Sequence, residues 1–277
     1  MNNFLPGLYI VSTPIGNLQD ITLRAINVLK NSDKILCEDT RRSLKLLNYY
    51  NIKKKLVAYH KFNEKKLTPS IVEFIQNGEK ISLISDAGTP IMSDPGLVLL
   101  RECIKKKIKI FPIPGASAIS TAMSISNFDE KYLFYGFLPK KQKELERIFK
   151  NLNNIEHSLV FFISAQKINF YIDQFKKYFL DRKILIAREM TKIHEEFIRS
   201  NVKLIKKLPE NIKGELTIVL SEKIKEKKNK EEISESVKIE IKKMIKKYSH
   251  KDVVEFVSKK ENLKKKLIYE YCLKLKK

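Results

Sequence analysis

Two short runs set residues able to do polar chemistry at close spacing. Glu38-Asp39-Thr40-Arg41-Arg42 sets two carboxylates beside two guanidiniums, and Ser85-Asp86-Ala87-Gly88-Thr89-Pro90 puts a hydroxyl, a carboxylate and small residues directly after an apolar segment. The first run could cap a helix with a local ion pair or meet a charged ligand. The second continues into Ser93-Asp94-Pro95-Gly96, which offers an N-cap and a proline for the first position of a helix. Ligands of open α/β sheets bind beyond the carboxyl ends of strands, so this strand, loop and helix start form a candidate cradle; an ordinary turn is the alternative. It is neither a Walker A loop nor a Gly-x-Gly-x-x-Gly turn, and the residues alone leave the ligand open.

The elements that must position these runs are legible from periodicity. Gly7–Ser12, Lys34–Cys37, Lys55–Tyr59, the apolar run from Ile81 and Lys109–Pro112 read as five strands alternating with helices, a mostly parallel, doubly wound sheet. Asp20 or Thr22 could cap the first helix, with Ile21, Ala25, Val28 and Leu29 on one face; Asn77-Gly78 stops the third. A second block opens with 132–139 and a basic helix, then has strands at 158–163, 183–187 and 216–220 with fewer crossovers, which predicts a mixed sheet. The expected division is 1–118, an N-terminal α/β domain; 119–222, a C-terminal α/β domain; and 223–277, a charged linker with a helical tail. In that tail Val237, Ile241, Ile245 and Tyr248 make a helical stripe, Ser249 to Asp252 cap a helix burying Val253, Val254 and Val257, and Leu267, Ile268, Tyr271 and Leu275 mark a last helix.

Composition narrows the function classes. The 277 residues, 43% hydrophobic, suffice for a sizeable core. There is no apolar run of membrane-spanning length, and the start has neither the basic flank nor the apolar segment of a secretory signal, so neither a membrane span nor secretion is expected. Cys37, Cys103 and Cys272 are scattered and odd in number, which favours a reducing, cytoplasmic setting, and neither they nor the four histidines are spaced for a metal; none is expected. The net charge of +23 invites an RNA-binding reading, yet only 8 of the 55 basic residues are Arg, and most lysines read as solvated helix faces.

The loops together resemble one family. Pro14-Ile-Gly-Asn-Leu-Gln-Asp-Ile-Thr22 with Arg24, Glu38-Asp-Thr-Arg41, His60, Ser85-Asp-Ala-Gly-Thr-Pro90, Ser93-Asp-Pro-Gly96, Pro114-Gly-Ala-Ser-Ala118, Gly136-Phe-Leu-Pro139, Arg188-Glu-Met-Thr-Lys192 with His194-Glu195-Glu196, and Lys213-Gly-Glu215 are similar to the bacterial 16S rRNA (cytidine-1402) 2′-O-methyltransferases. These belong to the tetrapyrrole methylase superfamily, the class III methyltransferases. The resemblance covers essentially the whole chain. It departs at Ile163-Ser164-Ala165-Gln166-Lys167, where the family usually has Glu, Ser or Ala, Pro, His and Arg, and this argues against acid–base chemistry at that point.

The resemblance implies S-adenosylmethionine as methyl donor, bound between two α/β domains of a homodimer, with 16S rRNA or the small ribosomal subunit as partner. Carried over by position, Pro14, Gly16, Ile84, Ser85, Asp86, Gly88, Thr89, Ser117, Ala118, Ile163 and Met190 would face the donor. Arg24, Arg41, Arg42 and Arg188 are the candidates for RNA phosphate, since guanidinium forks suit phosphate oxygens. The 2′-hydroxyl must lose a proton, and Glu38, Asp39, His60, Glu195 or a Lys192 of depressed pKa could take it. Two alternatives remain: the same fold acting on a small tetrapyrrole-like molecule, and an RNA-binding protein that has lost catalysis.

Overall fold

The computed structural model describes residues 4–224, 233–261 and 263–275. They form two compact units divided after Ile224, so both sheets lie in the first unit.

The first sheet alternates strand and helix: β1 (Gly7–Val11), α1 (Leu23–Asn31), β2 (Lys34–Cys37), α2 (Thr40–Tyr49), β3 (Lys55–Ala58), α3 (Glu64–Gln76), β4 (Lys80–Leu83), α4 (Leu97–Lys105) and β5 (Ile110–Ile113). The order is β3-β2-β4-β1-β5 and every pairing is parallel. Because side chains alternate along a strand, Tyr9, Val11, Ile35 and Cys37 pack under α1 and α2, whereas Leu8, Leu36, Ile81 and Leu83 pack under α3 and α4. Of the two candidate caps for α1 it is Thr22 that serves, its hydroxyl accepting from the Ala25 N–H at 3.1 Å. The start of α4 differs from expectation. Ile91, Ser93 and Gly96 have φ of +74°, +77° and +129°, so the backbone at 91–96 cannot be helical, and α4 begins only at Leu97 behind Gly96. A Cβ at Gly96 would lie 2.5 Å from Leu83 Cδ2, which fixes glycine there twice over.

The second sheet follows from α5 (Ala118–Ser124), β6 (Tyr132–Phe137), α6 (Gln142–Leu152), β7 (Ser158–Ser164), α7 (Ile168–Tyr178), β8 (Lys183–Arg188), β9 (Glu196–Asn201) and β10 (Glu215–Leu220). Its order is β6-β7-β10-β8-β9; β6 runs parallel to β7 and the other pairs are antiparallel. The strand β9 was not expected from sequence. It is an edge strand whose Glu196, Arg199, Ser200 and Asn201 face water or half-face it, so no apolar alternation marks it. One face of this sheet buries Phe149, Phe161, Phe175 and Phe179 with Leu159, Ile184, Ile186 and Ile218. Arg182 is fully buried beside them and donates to the carbonyls of Ile155, His157 and Ser221.

The second unit holds α8 (Glu235–Met244), α9 (His250–Glu261) and α10 (Lys265–Lys274) around Val237, Ile241, Val253, Val254, Val257, Ile268 and Cys272. Ser249 caps α9 as expected, accepting from the Asp252 N–H at 3.3 Å. Tyr248 does not continue the buried stripe: α8 ends at Met244 and the ring is exposed. Most of the expected charged linker, residues 225–232, lies outside the described residues. Among the described residues no helix is long and apolar enough to cross a membrane.

Candidate functional site

All five parallel strands point their carboxyl ends at one edge of the first sheet, and that edge faces the ends of β6, β7 and β8 and the start of β10. A cleft of about 930 Å³ opens between them. The first sheet lends it Ile15 after β1, Glu38 to Arg42 after β2, Ala58, His60 and Phe62 after β3, Asp86 to Thr89 and Met92 to Asp94 after β4, and Ser117 to Ile119 after β5. The second sheet lends Phe137, Phe162 to Ser164, Glu189, Met190, Lys192 and Gly214 to Thr217.

The loops of the first sheet are pinned to one another. Thr13 and Gly88 exchange backbone hydrogen bonds of 2.9 and 3.1 Å, the Thr13 hydroxyl donates to the Ser85 carbonyl at 3.2 Å, and the Ser12 and Thr89 hydroxyls bond at 3.0 Å. Gly88 (φ +77°) lets Ile15 lie against its backbone. The first loop also grips the second sheet: the Asn17 N–H donates to Thr191 Oγ1 at 3.0 Å, and a Cβ on Gly16 would stand 2.5 Å from Lys192 Cγ.

Charge is sorted within the cleft. Asp39 caps α2, accepting from the Arg41 N–H at 2.9 Å, and its carboxylate takes the Arg41 guanidinium at 2.7 Å; these bonds hold it well below the usual carboxylate range. Asp86 accepts from the Asp39 N–H at 3.1 Å and from Arg42 at 3.2 Å. Lys192 sits between Glu189 at 2.9 Å and Glu215 at 3.1 Å. Burial, followed by the nearby Asp86, pushes the Glu38 carboxyl up. Burial, followed by Glu38, Asp86 and Glu215, raises Asp94 to about 6. The cleft thus has an acidic floor, an apolar wall of Ile15, Ile119, Phe162, Ile163, Met190 and Leu216, and exposed guanidiniums at its rim.

Residues 7–205 match the model of the tetrapyrrole (corrin/porphyrin) methylases. The chain is 43% identical to ribosomal RNA small subunit methyltransferase I of Thermotoga maritima, across 78% of this chain and 98% of that one. It is 37% identical to the same enzyme of Buchnera aphidicola across 99% of both. The chain belongs to the ribosomal RNA small subunit methyltransferase I family of tetrapyrrole methylases. Its fold is also that of diphthine synthase, with TM-score 0.62 and 13% identity over 77% of this chain and 89% of that one. Uroporphyrin-III C-methyltransferase from Thermus thermophilus, solved with S-adenyl homocysteine, has TM-score 0.53 and 11% identity over 78% and 97%. Members of this methyltransferase family take their methyl group from S-adenosylmethionine.

Against this family background the expected site residues separate into two groups. Glu38, Asp39, His60, Lys192, Asp86, Gly88, Thr89, Ser117, Ala118, Ile163, Met190, Arg41 and Arg42 border the cleft. Pro14 does not; it is buried, and its neighbour Ile15 borders the cleft instead. Gly16 serves the close approach to the 190–192 loop, and Ile84 and Ser85 lie beneath the cradle, Ile84 in the core and the Ser85 hydroxyl donating to the Gly88 carbonyl at 3.0 Å. Glu195 is turned away, accepting from the Thr191 N–H at 2.6 Å. Arg24 donates to the Pro112 carbonyl, and Arg188 to the Lys213 carbonyl at 3.1 Å and to Glu196 at 3.2 Å, so neither reaches the rim. The idea of a depressed Lys192 is overturned: burial alone would lower it, but Glu189 and Glu215 outweigh that and raise it, leaving a fixed cation. Asp94 and Phe62 were missed as site residues. Ser93-Asp94-Pro95 reads locally as a helix cap, which the positive φ of Ile91, Ser93 and Gly96 abolishes, and an isolated Phe in a loop carries no periodic signal.

Proposed function

We propose that the chain transfers a methyl group from S-adenosylmethionine to the ribose 2′-oxygen of a cytidine, cytidine-1402 by family resemblance, in 16S rRNA. The observation that carries this reading is the cleft itself, where an acidic floor, an apolar wall and a guanidinium rim meet between two sets of strand ends. Its volume of about 930 Å³ suits a nucleoside-sized ligand with room for part of a second molecule. Ile15, Ile163 and Met190 would flank adenine, and the backbone of Gly88, Thr89 and Ala118 would approach the donor closely. When bound, the donor supplies an electrophilic methyl group on a cationic sulfur. Glu38, Asp86 and Asp94 create the negative potential that favours such a cation, and the loops hold it still while the acceptor arrives, which is where most of the acceleration would arise.

The rim supports an RNA acceptor over a small one. Arg41 and Arg42 hold acids with one edge and turn the rest of their guanidiniums to solvent, as phosphate recognition requires. Phe62, 95% exposed at the cleft mouth, offers a face on which an unstacked base can lie. Residues 1–118 would act as the donor lobe and 119–222 as the opposing lobe, since α5 already packs with Val160, Leu185 and Val219 of the second sheet; 223–277 would be an added basic module. The exposed Leu23 and Ile193 suit a contact with a second copy, and three unpaired buried thiols suit a reducing cytoplasm. The test is methyl transfer from labelled donor to small ribosomal subunits that lack the modification. Label recovered on a cytidine 2′-oxygen is the expected result; label on a small molecule, or RNA binding without transfer, would replace this reading with one of its alternatives.

A further inference from the structure

We propose that Phe137 is the platform on which the base of the methylated nucleotide stacks, a role that rests on the RNA-methylation reading above. The backbone commits an unusual device to this side chain. In the β6–β7 pairing Phe134 stands opposite Val160, Gly136 opposite Phe161 and Phe137 opposite Phe162, so Tyr135 is an extra residue in a bulge, which is uncommon between parallel strands. Phe134, Val160 and Phe162 lie on the face that packs with Ile15, Ile119 and Met190, whereas Leu133, Leu138, Leu159 and Phe161 pack into the aromatic core on the other face. Without the inserted residue, alternation along the strand would carry Phe137 to the side of Phe161. The bulge moves it to the side of Phe162, and Gly136 permits the kink with φ of +85°.

The ring is supported from below and open above. It rests on Phe162 with centroids 5.5 Å apart, and Phe162 meets Phe134 edge to face at 5.0 Å. Its backbone is pinned on both sides: a Cβ on Gly136 would lie 2.8 Å from Ser93 Oγ, and the Tyr171 hydroxyl donates to the Pro139 carbonyl at 3.4 Å. Phe137 borders the cleft and is 63% exposed, whereas Ile163 and Met190, the residues suited to the donor's adenine, are buried. An enclosed donor needs buried walls; a fixed, open ring suits a flat group that arrives from solvent afterwards. In RNA that group is a base lifted out of its stack, and every base offers a π face to an aromatic ring. Phe62, on the first sheet's side of the mouth, is more exposed, and among the described residues its ring contact is His60 at 6.1 Å. A fixed ring sets the place of a base and so of the ribose joined to it, which fits Phe137 to the target nucleotide and the less supported Phe62 to a neighbour.

The test uses the full chain, labelled donor and small subunits reconstituted with unmethylated 16S rRNA, under single-turnover conditions. One set of subunits carries the intact target cytidine, and the other an abasic ribose there that keeps its 2′-hydroxyl. Phe137→Leu, which keeps apolar bulk and removes the π face, should slow transfer to intact subunits by about 30-fold, while Phe137→Tyr should stay within about threefold of wild type. On abasic subunits wild type should itself be slow, and Phe137→Leu should match it within about threefold, because the ring has no base left to hold. Donor affinity by calorimetry should change by less than about threefold in both variants, and the thermal midpoint should hold because the ring is largely exposed. A Phe137→Leu rate equal to wild type on intact subunits, the same loss on intact and abasic subunits, or a rate loss matched by a loss of donor affinity would each overturn the assignment. So would wild type that methylates the abasic ribose as fast as the intact cytidine, a comparison that needs no variant. Wild type that methylates no 2′-oxygen on either substrate would remove the RNA reading and the platform together, whereas active wild type with an indifferent Phe137→Leu removes only the platform.

Discussion

The parallel sheet brings five strand ends to the cleft and fills them with small and charged residues; the mixed sheet brings fewer and spends its interior on aromatic packing. Leu8, Leu36, Ile81 and Tyr9 make two thin cores, one on each face of the first sheet, and the loops above them carry Glu38, Asp39, Asp86 and Asp94. In the second sheet Phe149 contacts Phe161, Phe175, Tyr178 and Phe179 in one cluster, and its share of the cleft is largely an apolar wall with one clamped lysine. A parallel topology concentrates chemistry because every loop after a strand lands on one side. A mixed sheet makes a stiff backing for it. Damage to the second should therefore cost stability first, and damage to the first should cost function first.

The largest expected effect tests that division from the structural side. Phe149→Ala removes a fully buried ring and should destabilise the protein by about 4 kcal/mol in urea unfolding, with donor affinity of the remaining folded fraction little changed. Next, Gly16→Val drives a side chain into Lys192, Thr191 and the Met190 carbonyl and should part the two loops. Methyl transfer should fall by about 100-fold with a much smaller loss of stability, because misplacement of about 1 Å is enough. Phe62→Ala should lower transfer to small subunits by about tenfold through lost base stacking and leave the melting curve unmoved.

The smallest effect has the opposite sign. The folded pKa of Asp94, about 6, lies above its ordinary value, so the fold favours the protonated acid. Its contribution is favourable at low pH and is lost as pH rises from the ordinary carboxylate range through about 6. Asp94→Asn should then gain about 1 kcal/mol at neutral pH, after allowance for solvent screening, and nothing at about pH 4. A gain at neutral pH that vanishes at about pH 4 would show a carboxyl kept in the first sheet's cleft at a cost to stability, which sharpens the contrast between the two sheets.

The same contrast decides what sequence could reveal. Buried parallel strands flanked by glycine, proline and capping residues are locally encoded, so β1, β2 and β4 were legible, and the cap of α1 was narrowed to Asp20 or Thr22, of which Thr22 serves. The loop after β4 was legible as a strand-end loop for the same reason, and its Asp86 to Thr89 border the cleft. Edge strand β9 was not, because its stability comes from pairing with β8 and not from its own pattern. The start of α4 was misread because Ser93-Asp94-Pro95 has every local mark of a cap, and only packing of Gly96 on Leu83 and of Ser93 on Gly136 imposes the left-handed turn. That turn places Asp94 in the cleft. Lys192 was misjudged because its two carboxylate partners come from residues 189 and 215, and the second is visible only once β10 is paired with β8. Arg24 and Arg188 failed as rim residues since guanidiniums also find backbone carbonyls, and sequence does not say which.

The most direct test of the central claim, that donor and acceptor meet where the parallel strand ends face the mixed sheet, is a crystal structure with S-adenosylhomocysteine. The account predicts density between Gly88, Thr89 and Ala118 on one side and Ile163 and Met190 on the other, with the sulfur turned toward Asp94. Density elsewhere, such as the hollow between α3 and α4 lined by Lys65, Pro69 and Arg101, would contradict it.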